Sequence, residues 1–167
     1  GSTADICISN VSVKRTKKAD PNEKEKKTVL ANGNYVYNGN FQEGDKHLGY
    51  WNISNAENAD VTVTPFSDGR RFKVTMSGNE KSAVVMSQEE LAFATGTPYK
   101  FSFTATSDAD NTITANIGGH VYTFDIKAGE TKDFAVELPS DAQYVNQNIS
   151  ITLGMQKTAW LDNVSLV

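Results

Sequence analysis

A chain of 167 residues with 38% hydrophobic and 22% charged residues is long enough for one ordinary globular core and too short for two of typical size. No segment approaches the run of about 18 apolar residues needed to span a bilayer, so a soluble domain is expected and a membrane is not among its partners. The single cysteine, Cys7, excludes a disulfide framework and a thiolate metal cluster, and the net charge of -4 conceals a strong local asymmetry.

In chain order, the opening Gly1-Ser2 reads as a cloning remnant, and the lack of a signal peptide before it says little about export. Residues 6–13, "ICISNVSV", alternate as a strand. Residues 14–28, "KRTKKADPNEKEKKT", hold seven basic and three acidic residues, which leaves a balance of -8 for the remainder. A Lys/Glu run containing Pro21 reads as a solvated linker. It has no aromatics to stack bases and the body is acidic, so nucleic acid is not an expected partner.

Beyond the linker, two-residue alternation dominates. Val61 and Val63 alternate with Thr62 and Thr64; Phe72, Val74 and Met76 alternate with Arg71, Lys73 and Thr75. Phe101 and Phe103 flank Ser102, and Ile113, Ala115 and Ile117 interleave with Thr112, Thr114 and Asn116. Phe134, Val136 and Leu138 follow, then Ile149, Ile151 and Leu153 against Asn148, Ser150 and Thr152. Each run has one apolar and one polar face, the mark of a half-buried sheet. "SDG", "SGN", "TGTP", "SDADN" and "KAGE" supply turns, and "SQEELAFA" is the one weak helix candidate. Many short strands at this spacing predict an all-β, two-sheet antiparallel sandwich. The closing "WLDNVSLV" breaks strict alternation at Asp162-Asn163, where a bulge or a bound ion would each disturb the register.

Three stretches, in order, resemble carbohydrate-binding modules of the family 4/9 type, the jelly-roll modules of bacterial glycanases. "NGNFQEG" (residues 38–44), followed by "GYW" (49–51), is similar to the family's opening motif. "SDGRRFKVTMSG" (67–78) is similar to its Gly-rich turn and following strand, and "AWLDNVSLV" (159–167) to its closing strand. The likeness covers roughly residues 31–167, expected to be the module. Residues 1–30 are then a strand plus charged linker, which either closes a preceding module, packs as an extra strand of this domain, or pairs with a neighbouring molecule.

The resemblance implies non-catalytic binding of a polysaccharide chain, a β-glucan or related plant or microbial glycan, in a concave groove on one sheet. The module would target a tethered glycoside hydrolase to substrate, in a protein secreted by, or displayed on, a bacterium. Such a groove needs amides and hydroxyls for sugar edges and rings for pyranose faces. Carried over by position, the family's contacts fall near Ser82, Ser87 or Gln88, Thr114, His120 or Tyr122, Asn148, Thr152 and Met155-Gln156. An aromatic common at the position of Ser82 is missing. With the Thr112/Thr114/Asn116 row and the remaining rings, the candidate set is Tyr50, Gln88, Thr114, Asn116, His120, Tyr122, Asn148, Thr152 and Gln156. Tyr122 is the leading stacking platform although it shares a strand face with Phe124. Tyr144 and Trp160 are further candidates, and Trp51 reads as core.

The resemblance also implies a structural calcium tying the opening segment to the closing strand. Asp162 matches the closing Asp, Asn40 would offer its carbonyl, and Asp68 or a carbonyl at Arg70-Arg71 would complete the shell. Gln42 stands where the family has an acidic residue; its amide oxygen would still coordinate but contributes less charge, which implies a weaker site or one helped by Glu43. No paired carboxylates, nucleophile elbow, His-rich metal motif or phosphate loop points to catalysis. The competing expectation is a structural spacer or protein-binding sandwich of a multimodular cell-surface protein.

Overall fold

In a computed structural model of the chain, residues 27–76, 83–153 and 157–167 are described. The strand expected over residues 6–13 and most of the charged linker lie outside them. Ten strands follow one turn of 3-10 helix (Asp45–His47): β1 (Asn52–Ser54), β2 (Ala59–Phe66), β3 (Gly69–Met76), β4 (Val85–Gln88), β5 (Tyr99–Ser107), β6 (Asn111–Ile117), β7 (His120–Ile126), β8 (Thr131–Leu138), β9 (Ile149–Thr152) and β10 (Thr158–Leu166). They form two antiparallel sheets of five strands, a front sheet in the order β1-β4-β9-β6-β7 and a back sheet in the order β2-β3-β10-β5-β8. The expected all-β sandwich is therefore the observed one.

Alternation places the core. The back sheet turns Phe72, Val74, Phe101, Phe103, Ala105 and Leu161 inward, and the front sheet Met86, Ile113, Ala115, Ile117, Ile149 and Ile151. Each large side chain so buried contributes roughly 1.5–3 kcal/mol. "SQEELAFA" does not form a helix. Its first two residues end β4, and the segment after them runs irregularly, with Leu91 and Phe93 sunk into the core and the Leu91 amide bonded to the Gln147 carbonyl. Leu91 and Phe93 alternate with the half-buried Ala92, so tertiary burial at period two overrides a modest helical propensity.

The opening motif is a folding device. Asn38 is buried; its Oδ1 accepts from the amides of Gln42 (2.8 Å) and Glu43 (2.9 Å), and its Nδ2 donates to the carbonyls of Glu43, His47 and Gly49. Its own carbonyl accepts the Trp51 indole N–H at 3.0 Å. Phe41, fully buried, lies against both Phe72 (5.6 Å) and Trp51 (6.0 Å between ring centres).

The closing strand carries the irregularity its sequence announced. The β10–β5 register shifts between Asp162 and Ser165, and Asn163 adopts a left-handed backbone at φ 52°. The opening segment docks there. The Val164 amide donates to the Gly39 carbonyl at 2.9 Å, and a Cβ on Gly39 would sit 1.9 Å from the Val164 carbonyl oxygen, so only glycine fits.

Candidate functional site

Front-sheet register sorts the candidate residues. On its outer face, Ser54, Val85, Thr152, Thr114 and Thr123 line up across the five strands, and beside them Asn52, Ser87, Ser150, Asn116 and Val121. None of these ten is charged or aromatic. The hydroxyls of Ser87, Thr114, Ser150 and Thr152 make no hydrogen bond to other described residues. The Asn116 Oδ1 accepts from the Gly119 amide (2.9 Å) and the Asn148 Oδ1 from the Glu90 amide (3.1 Å), while the Nδ2 of each makes no hydrogen bond to other described residues. An open depression of about 290 Å³ lies here, lined in part by Ser87, Glu89, Asn116, Asn146, Asn148 and Ser150. Of the nine expected sugar contacts, Thr114, Asn116, Asn148 and Thr152 are brought together on this surface.

Tyr50 stands at its edge. It lies two residues before the start of β1, is 52% exposed, and rests its ring 4.9 Å from Tyr37, whose backbone is bonded to the end of β4. Tyr37 is itself anchored, its hydroxyl accepting from the Thr28 amide and donating to the Thr28 carbonyl.

Three expected contacts lie elsewhere. Gln88 points inward with Met86 and is fully buried; its Oε1 accepts from the Tyr37 amide (3.0 Å) and its Nε2 donates to the Tyr37 carbonyl (2.6 Å). It acts as a backbone surrogate holding the opening segment against β4, and no sugar reaches it. Tyr122 falls in the inner row Met86-Ile151-Ala115-Tyr122, packed half-buried against the core. His120 continues the inner row Gln88-Ile149-Ile117; its Nε2 lies 2.8 Å from the Gln143 carbonyl and its ring 5.6 Å from Tyr144. Gln156 lies outside the described residues, as do Ser82 and Met155.

Ser87, the alternative to Gln88 in the carried-over contacts, and Ser150, from the polar row of β9, occupy the centre of this surface. The signal was parity: in "VMSQ" Met86 and Gln88 share a face, so a buried Met86 sends Ser87 outward. Likewise Thr123 and Asp125 mark the outer face of β7, which turns Tyr122 in with Phe124. Trp160 projects from the opposite side of the sandwich, in the back-sheet row Thr62-Lys73-Trp160-Thr106-Thr131, with the Lys73 ammonium 5.9 Å from its ring.

A second cluster gathers the residues expected to hold calcium, where the β2–β3 turn meets the opening segment and the β10 bulge. Gln42 Nε2 donates to the Asn40 carbonyl (3.0 Å), and Gln42 Oε1 accepts from Arg70 Nη1 (2.7 Å). Asp68 takes Arg71 Nη2 on both oxygens, at 3.3 and 3.0 Å. Asp162 Oδ1 accepts from the Asn163 amide at 2.8 Å. Burial pushes the Asp162 carboxyl above the usual carboxylate range, against the pull of the Asn163 amide and the Arg71 charge.

A family model described as a carbohydrate binding domain matches residues 33–162. No curated protein matches the chain. Among solved structures, TmCBM61 in complex with β-1,4-galactotriose is 16% identical with a TM-score of 0.61, over 80% of this chain and 97% of that one. The CBM22-1–GH10 modules of Clostridium thermocellum xylanase 10B, complexed with xylohexaose, are 16% identical with a TM-score of 0.55, over 80% of this chain and 28% of that one. The enzymatically active domain of tailspike protein 4 from bacteriophage CBA120 is 13% identical with a TM-score of 0.62, over 80% of this chain. The chain spans about a fifth (21%) of the length of that domain. These likenesses concern the fold.

Proposed function

Since the chain belongs to the carbohydrate-binding domain family of the 4/9 type, we propose that it binds a single polysaccharide chain across the outer face of its front sheet. The observation that carries this reading is the patch of hydroxyls and amide donors formed by Ser87, Thr114, Asn116, Asn148, Ser150 and Thr152, unpartnered among the described residues, with Glu89 lining the same depression and Tyr50 exposed at its edge. Sugar hydroxyls pair with such groups as both donors and acceptors. Each hydrogen bond exchanged with water nets about 0.5–1.5 kcal/mol, so a handful on a shallow, wet surface gives weak binding, with a Kd of roughly 0.1–1 mM. The ligand is a β-glucan or a related plant or microbial glycan. In the full-length protein, secreted by or displayed on a bacterium, the domain serves a tethered glycoside hydrolase by raising local substrate concentration. Two structural neighbours bound to β-1,4-galactotriose and xylohexaose support a glycan ligand for this fold.

One observation favours a second reading. No aromatic ring projects from the two central outer rows of the front sheet, as suits a spacer or protein-binding module. Affinity electrophoresis through gels containing β-glucans, xylans, mannans or galactans separates the two. Retardation by at least one polysaccharide is expected; unchanged mobility in all of them overturns glycan binding and leaves the spacer.

A further inference from the structure

The residues expected to hold calcium already take hydrogen bonds from within the chain, although Asp162 Oδ2 and the buried Arg71 Nε have no partner among the described residues. Calcium takes six to eight oxygens at about 2.3–2.6 Å and favours carboxylates. Here the oxygens that would form such a shell serve as hydrogen-bond acceptors instead. Gln42 Oε1 is held by Arg70, the Asn40 carbonyl by Gln42, both Asp68 oxygens by Arg71, and Asp162 Oδ1 by the Asn163 amide. Two guanidiniums, Arg70 and Arg71, lie among the carboxylates Asp68 and Asp162, with Glu43 following Gln42 in the chain. A divalent ion entering this cluster would have to break both arginine contacts and then sit beside the two displaced positive charges. Gln42 removes the acidic group that would oppose that repulsion. Arg71 is also fixed from its other side, its guanidinium carbon 4.1 Å above the Phe66 ring. Among the described residues, no three or more His, Cys, Asp or Glu side chains gather into a metal-holding group.

We propose that Arg70 and Arg71 stand in place of the structural cation, Arg70 clamping the β2–β3 turn to the opening segment and Arg71 bracing the turn itself, so that this domain folds without calcium. The consequence is a module whose stability is indifferent to chelators. Its two clamps differ in kind: Arg70 reaches across 28 residues to Gln42, while Arg71 neutralises the Asp68 side of the turn at i,i+3.

Thermal unfolding of the unmodified chain, with no sugar present, tests this directly. The midpoint in EDTA and in about 5 mM calcium chloride, above the weakest extracellular calcium sites, is expected to agree within about 1 °C. A midpoint that falls in EDTA or rises with calcium overturns the proposal. The double substitution Gln42→Glu with Arg70→Ser restores a carboxylate and withdraws one guanidinium. It is expected to acquire a calcium-dependent rise of about 3 °C or more, the shift that ligand linkage produces in a domain of this size. A double variant that folds and stays indifferent to calcium overturns the role given to Arg70. The wild-type melt decides the main point even where the variant does not fold.

Discussion

At the scale of single residues, Asn38 is the most heavily committed polar side chain described, with five side-chain hydrogen bonds organising residues 38–51 around it. Asn38→Ala strands several backbone groups in a buried site, each costing about 1–3 kcal/mol, so a total loss of about 3 kcal/mol or more is expected in urea unfolding. Tyr144 presents the opposite case. Its ring packs edge-on against Phe93 at 5.1 Å and Tyr99 at 6.3 Å, while its hydroxyl is buried with no partner among the described residues. Tyr144→Phe keeps the ring and discards the orphaned group; stability is expected to hold or to rise by up to about 1 kcal/mol. A loss of more than that amount would show that the hydroxyl is bonded after all.

At the scale of elements, parity within strands explains both the success and the failure of sequence reading. Period-two alternation identified the strands later seen as β2, β3, β5, β6, β8, β9 and β10 and the inward set Phe72, Val74, Ile113, Ala115 and Ile117, because burial on one face is a repeating, local signal. The same rule applied to β4 and β7 would have turned Gln88 and Tyr122 inward. An amide and a phenol suit sugar by type, and at Gln88 and Tyr122 type conflicts with strand phase. Asn38 was invisible for another reason: its partners are backbone groups up to eleven residues away, which no side-chain pattern records. The β10 irregularity was legible through "LDN", and its cost is testable. Asn163 holds a left-handed backbone that a β-branched residue resists. Asn163→Val is expected to destabilise by about 1–2 kcal/mol and Asn163→Gly to be close to neutral, as measured by denaturant midpoints. Equal losses in both would mean that the Asn163 contact to Thr104, 3.4 Å away, matters more than the backbone.

At the scale of the whole molecule, the sandwich separates its tasks. One end is closed by an aromatic cluster in which Tyr35 meets Tyr99 at 5.2 Å, Tyr99 meets Phe93, and Tyr144 meets both. Burial raises the pKa of both Tyr35 and Tyr144, and the neighbouring Tyr99 adds to the effect. A phenol with a folded pKa above its unfolded value supports the fold fully below the ordinary value near 10, and that support is lost as pH rises through the folded value. Unfolding free energy is therefore expected to be flat up to about pH 9 and to fall above about pH 10, with a shallower fall in Tyr144→Phe. The opposite dependence, stability rising through that window, would contradict the burial of these rings.

The outer face of the front sheet carries the central claim. The most direct measurement is a map of backbone amide chemical shifts during titration with β-glucan, xylan, mannan and galactan oligosaccharides. The account predicts saturable shifts for at least one sugar, concentrated at Ser87, Thr114, Asn116, Asn148, Ser150 and Thr152 and extending to Tyr50. Shifts centred on Trp160 across the back sheet, or none with any sugar, would contradict it.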